Sequence, residues 1–360
     1  MFVALRDIRF AKGRFALMGS VVVLITLLIV LLSGLTAGLA DQSTSAIRHL
    51  PADRVAFGGA EESYADSAVT SEQLGTWTGT EGIEWAEPVG ITQSRFELAS
   101  GGGGSVALFG LPSGTRLAPK EPSSPDHVVV GDRTAADYGL APGDTLTVAG
   151  RDLTVEHVSG TEYFNHTPVV WVDLATWRDL DPRVRHARGP DAPIANVIAA
   201  GVASDAAAEA ADGAAGTVSM SRSDSFAAIG AFSSENGSLT AMQGFLYAIS
   251  ALVVGAFLTV WTIQRGGDVA ILKALGGSTA YLLRDALAQA LVVLSLGAAA
   301  GGALGAGAGA LAASVVPFAL TPATTLAPVA AMVVLGMLGA ALAVRRITSV
   351  DPLTALGGVR

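Results

Sequence analysis

The sequence predicts an α-helical membrane protein with four transmembrane helices and one large α+β extracytoplasmic domain between helices 1 and 2. Hydrophobic residues make up 51% of the 360-residue chain and charged residues only 15%, which favours a membrane protein. A helix needs about 20 apolar residues to cross a hydrocarbon core. Four runs satisfy that length, and a long polar segment, 40–240, separates the first two. The runs are 15–39, 241–263, 287–315 and 326–344.

The first apolar run also has features of a secretory signal, because four basic residues precede it and the small residues Gly38 and Ala40 end it. The apolar part of a signal peptide is about 7–15 residues long. This run is longer and carries no charge between residues 15 and 39. We therefore predict an uncleaved membrane helix that follows a cytoplasmic amphipathic helix at 1–14.

The distribution of basic residues predicts the orientation of the helices. Segments 1–14, 264–286 and 345–360 together hold ten basic and four acidic residues, a net charge of +6. The whole chain carries −9, so the remainder carries −15, and all of that charge lies in the segment 40–240. Positive charge collects on the cytoplasmic side of membrane proteins. We therefore expect a multi-pass plasma-membrane protein with both termini and the 345–360 tail in the cytoplasm, and with 40–240 and the short loop 316–325 outside.

The outer segment is long enough to form a compact domain, and it contains no cysteine, so its stability must come from its core. Its clearest local pattern is the alternation of Leu146, Val148, Leu153 and Val155 around a turn at 149–152, which predicts a β-hairpin. The glycine run 101–104 lacks a following Gly-Lys-Ser/Thr, so we interpret it as a hairpin tip. Further strands are predicted at 105–109, 128–130, 169–172 and 196–200, and helices at 133–138 and 174–180.

The third membrane helix has small residues along one face. Gly297, Gly301, Gly305 and Gly309 recur at four-residue intervals, which leaves a stripe of bare backbone. Small residues let membrane helices approach closely. The pattern predicts helix packing, either inside one subunit or between subunits.

The segment 264–276 lies between the second and third apolar runs and predicts a short amphipathic helix at the membrane surface. Such a helix is suited to transfer force from a soluble partner to the membrane helices. The residues expected to make this coupling contact are Asp268, Ala270, Ile271, Lys273, Ala274, Leu275 and Gly276.

Several chemistries are disfavoured by what the sequence lacks. It contains no nucleotide-binding Walker motif, no His-Glu-x-x-His and no Gly-x-Ser-x-Gly, and its five histidines lack metal-ligand spacing. We therefore predict no catalytic residue, no metal and no nucleic-acid partner. The four runs contain no charged residue, which argues against an ion-coupled carrier. The energy for transport must then come from a source other than an ion gradient. A transported compound would travel along the lipid phase.

The chain resembles a permease subunit of the FtsX-like family, the type VII ABC transporters of the macrolide-exporter type. The resemblance rests on the helix order, the start Met-Phe-Val-Ala-Leu-Arg-Asp-Ile-Arg-Phe, the cytoplasmic stretch 268–276, the tail 351–356 and the outer stretch 139–146 with its hairpin. It implies a homodimer bound to two copies of a separate cytoplasmic ATPase, which would bind ATP and Mg. By position, 267–276 would dock on the ATPase. Gly266 and Gly267 replace the charged residues that are usual there.

Within that family, the first helix and its exit are similar to actinobacterial haem-exporter permeases. This narrower resemblance implies haem as the transported substrate, entering laterally between helices near the outer leaflet. The candidate substrate contacts are Gln42, Ser45, His49, Met242 and Tyr247.

Three functions remain open from the sequence. The first is ATP-driven export of a hydrophobic or amphipathic compound, and we favour it. The second is mechanotransmission to an extracytoplasmic protein without substrate translocation, which should require an exposed apolar docking patch on the outer domain. The third is peptide sensing with a kinase, which usually needs more helices than this chain has.

Overall fold

The computed structural model describes residues 12–118, 120–189, 191–264 and 278–348. These residues divide into two compact units. The outer unit is Leu39–Asn236, and the helical unit comprises the described residues up to Gly38 and from Gly237 onward. The segment between the first two membrane helices therefore folds as a domain with its own core.

The outer unit is a mixed α/β domain in which short helices connect the strands of one extended main sheet and of one small two-stranded sheet. Its helices are α2 (Ser71–Gly79), α3 (Asp132–Tyr138), α4 (Leu174–Leu180) and α5 (Asp205–Ala215). Its strands are β1 (Arg54–Gly58), β2 (Val69–Thr70), β3 (Ile83–Leu98), β4 (Gly103–Leu111), β5 (His127–Val130), β6 (Thr145–Val148), β7 (Arg151–Val158), β8 (Tyr163–Phe164), β9 (Thr167–Asp173), β10 (Pro193–Ala195), β11 (Val197–Val202) and β12 (Thr217–Ser221).

The long strand β3 belongs to both halves of the main sheet. Its first half pairs antiparallel with β11, with Val89 opposite Val197, and its second half pairs antiparallel with β4, with Gly90 opposite Gly110. The order β12, β1, β11, β3 forms an open half. Beyond it, β3, β4, β9, β5, β7 and β6 are successive neighbours, and β6 also pairs with the end of β3, so these strands close into a ring.

The predicted hairpin is confirmed as β6 and β7, which pair antiparallel with Leu146 opposite Leu153. The turn between them consists of Ala149 and Gly150, with φ of 49° and 83°. Positive φ at both central residues is the type I′ geometry that matches the twist of paired strands. The glycine run is likewise confirmed as the tip of the β3–β4 hairpin, where Gly101 and Gly102 have positive φ.

Each half of the outer unit has an apolar cluster of its own, and a third cluster contains residues of both halves. On the open half, α2 and α5 cover a cluster that includes the fully buried Trp77 and Ile198. In the ring, Phe96, Leu108 and Trp177 pack with the valines of β5 and β9. A further cluster around Phe109 and Trp171 includes Ala46, Ile47 and Leu50, at and just beyond the end of the first membrane helix.

The helical unit is built from the helices that cross the membrane. They are α1 (Lys12–Arg48), α6 (Gly230–Gln264), α7 (Thr279–Ala312) and α8 (Pro322–Thr348). Within the described residues, these four are long and apolar enough to span a membrane, which confirms the predicted four-helix class. Their common core contains Val22, Ile29, Val254, Leu294 and Met332.

Two of the helices extend well beyond the apolar runs that predicted them. Helix α1 continues through 40–48, and α6 begins at Gly230 rather than near 241. Hydropathy marks only the apolar part of a helix, whereas these polar turns are stabilised by contacts inside the outer unit. Ser43, Thr44 and Ser45 on α1 are each at most 1% exposed.

The glycine stripe on α7 lies against α1. A Cβ atom added at Gly297 would approach Val22, one at Gly301 would approach Thr26 and the Val23 carbonyl, and one at Gly305 would approach Val30. The fourth glycine, Gly309, instead lies under the ring of Phe318 in the α7–α8 loop. In the described chain the stripe therefore makes contacts inside one subunit.

Candidate functional site

The residues predicted to couple the permease to an ATPase lie outside the described part of the chain. They are Asp268, Ala270, Ile271, Lys273, Ala274, Leu275 and Gly276, between the described residues Gln264 and Ser278. Residues 1–11 of the predicted amphipathic helix 1–14 and residues 349–360 of the predicted tail 345–360 also lie outside it. Their roles stay predictions.

Three of the predicted substrate contacts lie in the outer unit, in or just beyond the last turns of α1. The Ser45 hydroxyl is buried and accepts a hydrogen bond from the Tyr163 backbone N–H at 2.8 Å. The Gln42 carbonyl accepts one from the His166 backbone N–H at 3.0 Å. His49 is exposed, and its Nδ1 lies 3.7 Å from the Glu162 carboxylate. Ser45 is therefore occupied by backbone contacts, whereas His49 is accessible.

The other two predicted contacts lie on α6 in the helical unit. The Met242 side chain is 55% exposed, and Tyr247 packs partly against the common core of the helices. Between them, Gln243 Nε2 donates to Thr36 Oγ1 on α1 at 3.0 Å. Met242 therefore presents a polarizable apolar side chain at the surface of the bundle.

The turn between β8 and β9 makes a hydrogen-bonded junction with α1 that sequence reasoning missed. Its central residues, Asn165 and His166, have φ of 50° and 64°. In this conformation the Asn165 backbone N–H donates to the Ser43 carbonyl at 3.0 Å. The next backbone N–H, that of His166, donates to the Gln42 carbonyl. Together with the contacts of Ser45 to Tyr163, these bonds fix the turn against the end of α1.

The imidazole of His166 connects this junction to the start of α6. Its Nε2 lies 3.1 Å from Ser43 Oγ on α1 and 3.0 Å from Glu235 Oε2 on α6. We call Ser43, His166 and Glu235 the His166 link. The three residues are far apart in sequence, and a lone histidine in a polar loop carries no pattern, so only the fold reveals the link.

A serine, a histidine and a carboxylate in contact suggest a hydrolytic triad, but the His166 link has the wrong geometry. A triad places serine and carboxylate on opposite ring nitrogens, so that one nitrogen is free to take the serine proton. Here both oxygens meet the same Nε2, which must carry hydrogen to donate to Glu235. Ser43 is also 1% exposed, so a substrate does not reach it. The cluster is a structural connection.

An open cavity of about 760 Å³ lies on the outer unit. Buried Ile91, Phe164 and Ile229 give it an apolar wall, while the exposed Glu62 and Asp66 lie at its edge. The volume falls in the range of about 300–1,000 Å³ that is usual for ligand pockets. Gln42, Ser45, His49, Met242 and Tyr247 do not line this cavity.

Arg183 lies at the edge of the cavity and is held there by a buried carboxylate. Asp181 is fully buried and accepts hydrogen bonds from the Arg183 guanidinium at 2.9 Å, from the Arg183 backbone N–H at 2.7 Å and from Thr92 Oγ1. Burial acts to raise the pKa of Asp181, but the bonds from Arg183 and Thr92 outweigh it and lower that pKa. Two further donors of the Arg183 guanidinium bind the Ala65 and Ile91 carbonyls, so the guanidinium is fixed in place.

Metal binding has no structural support in the part of the chain that the structure describes. There, no three His, Cys, Asp or Glu side chains come together in a way that holds an ion. The contacts of the described histidines are with serine hydroxyls, single carboxylates or a neighbouring arginine.

Four membrane-crossing helices, with a large α/β domain between the first and the second, define a class of membrane permease. The chain belongs to the FtsX-like permease family. Residues 228–352 match the FtsX-like permease C-terminal family, and residues 15–218, more than half of the chain, match the MacB-like periplasmic core domain. The predicted resemblance to FtsX-like permeases is thereby confirmed, and the chain is a permease subunit of an ABC transporter. Membership implies a separate ATPase partner.

The chain is similar over its full length to proteins of staphylococci. It is 22% identical to a protein of Staphylococcus haemolyticus named as a hemin transport system permease protein, HrtB, with 100% of both chains covered. It is 21% identical to the protein of that name in Staphylococcus epidermidis, with 99% of both chains covered. An uncharacterized ABC transporter permease of Mycobacterium tuberculosis is 32% identical over 33% of this chain and 34% of its own length.

Solved structures similar to the chain include two extracytoplasmic domains. One is the periplasmic region of MacB from Actinobacillus actinomycetemcomitans, with 14% identity, a TM-score of 0.35 and coverage of 49% of this chain and 92% of that one. Another is the extracellular domain of the transporter YknZ from Gram-positive bacteria, with 12% identity and a TM-score of 0.33. The match covers 47% of this chain and 98% of that domain.

Proposed function

We propose that this permease exports a hydrophobic or amphipathic compound, with haem as the candidate cargo, using ATP hydrolysis by its partner ATPase. The observation that carries the proposal is the full-length similarity to permeases named for hemin transport. The uncharged membrane spans support it further, because a lipid-soluble cargo needs no polar path through the bilayer.

The proposed assembly is a homodimer with two ATPase subunits, which bind ATP and Mg. Both termini and the segment 264–286 face the cytoplasm, and the outer unit is extracytoplasmic. The segment 268–276 docks on the ATPase. The distribution of basic residues supports this orientation.

Mechanotransmission to an outer protein partner is the alternative, and one feature of the outer unit weighs against it. Among its described residues, the most exposed large hydrophobic side chain is that of Tyr138, at 39%. Its ring packs edge-on against Phe96 at a centroid distance of 4.9 Å. Protein interaction sites usually present larger apolar patches.

The test is a titration of the permease–ATPase complex with haem in lipid nanodiscs, following both the haem absorption spectrum and ATP hydrolysis. We expect a saturable spectral shift with a change in ATP turnover. Met242→Ala should weaken the shift, whereas Leu252→Ala, at a 72% exposed position on the same helix, should not. A spectrum identical to that of haem in protein-free discs, with unchanged turnover, would remove haem as the cargo.

A further inference from the structure

The position of His166 requires a backbone conformation that is costly for a residue with a side chain. Its φ of 64° is in the left-handed region, which glycine adopts without strain. A non-glycine residue there costs about 1–2 kcal/mol. The chain therefore carries an imidazole at a position where glycine would suit the turn better, and residues held this way often serve a function.

The imidazole is not needed to fasten the turn to α1. Backbone N–H groups of Asn165 and His166 and the Ser45 hydroxyl already make that junction. What the imidazole adds is a contact with the Ser43 hydroxyl on α1 and one with Glu235, on the first turns of α6. The His166 side chain is 28% exposed and that of Glu235 is 43% exposed, so water screens the contact only in part.

We propose that His166 is a positioning residue that holds the start of α6 at a fixed spacing from the end of α1 within the outer unit. Movement of either helix in the transport cycle is then transferred to the other through the His166 link. The link itself stays closed throughout the cycle. The consequence for transport rests on the proposed export function, but the fixed spacing does not.

The spacing can be measured directly because the chain contains no cysteine. Spin labels at His49→Cys and Ser233→Cys, both exposed positions, report the distance between the two segments in the full permease–ATPase complex. We expect one narrow distance distribution, both without nucleotide and with ATP trapped. Losing this partly exposed hydrogen bond to a carboxylate should raise the population of open conformers severalfold, so His166→Ala should broaden the distribution.

Two further variants distinguish a positioning role of His166 from a general effect on the stability of the outer unit. In His166→Gln the side-chain amide nitrogen lies close to where Nε2 is and can donate to Glu235, so the narrow distribution should return. His157→Ala removes another outer-unit histidine, whose ring lies 3.9 Å from the carboxylate of its neighbour Glu156, and should behave like the wild type. Melting temperatures of all variants establish that they are folded.

The outcomes distinguish this inference from the proposed function. Cargo moved per ATP hydrolysed should fall severalfold in His166→Ala and recover in His166→Gln. An unchanged distance distribution in His166→Ala, or a folded His166→Gln that broadens as the alanine variant does, overturns the inference. Expected distances in the labelled complex, together with no haem movement by a complex that retains His49, would refute haem export and leave the inference standing.

Discussion

Replacing Gly301 with alanine tests whether the close approach of α1 and α7 is a structural requirement. A Cβ atom at this position would lie 2.9 Å from the Thr26 Cβ and closer still to the Val23 carbonyl. Backbone atoms cannot rotate away as a long side chain can, so the helices must separate. Gly307, on the same helix, has no atom within 4 Å of the corresponding position and provides a matched control.

The expected loss of stability follows from comparing the alanine variants at Gly301 and Gly307. Alanine in place of glycine favours a helix by up to about 1 kcal/mol, and this gain applies to both positions. Overpacking a close contact costs about 1–3 kcal/mol, and this cost applies only to Gly301. Gly301→Ala should therefore be about 1–3 kcal/mol less stable than Gly307→Ala.

Unfolding of the purified protein in mixed micelles, followed by circular dichroism as sodium dodecyl sulfate increases, measures this difference. Gly307→Ala should equal or exceed the wild type, and Gly301→Ala should unfold at lower detergent. Gly301→Leu, with a larger side chain, should lower stability further. Equal stability of the two alanine variants would show that the glycine stripe is not required for close packing.

Three further predictions address other parts of the chain. Asp181→Asn should lower the stability of the outer unit by about 2–3 kcal/mol at neutral pH, because Arg183 loses its buried partner. The pKa of Asp181 is lowered from its ordinary 3.8, so the ionised carboxylate stabilises the outer unit above that pH, and this stabilisation is lost as the pH falls below it. Melting temperatures measured at decreasing pH should show the loss in the wild type but not in the variant. Ala149→Asn should raise the melting temperature slightly, since asparagine tolerates the φ of 49° better, and an unchanged or lower value would contradict that. Leu275→Asp should abolish ATPase co-purification while leaving membrane insertion intact, and undiminished binding would refute the predicted coupling helix.

Local patterns predict much of the fold. The hairpin at 144–158 and the helices α3 and α4 follow from alternation, turn residues and caps that lie within a few residues of one another. The Asp173 side chain, for example, caps α4 by accepting from the Ala175 N–H at 2.8 Å. Such features need no knowledge of distant residues.

Long-range features could not be predicted in the same way. The closure of the ring depends on the end of β3 meeting β6, about fifty residues further along the chain. The His166 link joins positions 123 and 69 residues apart in sequence, and none of them stands out by residue type. The extension of α6 back to Gly230 was missed because its first turns are polar and glycine-containing, and they are stabilised by tertiary contacts rather than by hydropathy.

The strand β3 has a consequence for how the outer unit unfolds. Its 16 residues extend roughly 50 Å at about 3.3 Å per residue, and the open half and the closed ring both pair with it. Neither half can lose its sheet without exposing an edge of the other. A shared apolar cluster, with Phe57 from the open half and Phe109 from the ring, joins them further. The two halves should therefore melt in one cooperative transition, and proteolysis should yield either the whole unit or small fragments.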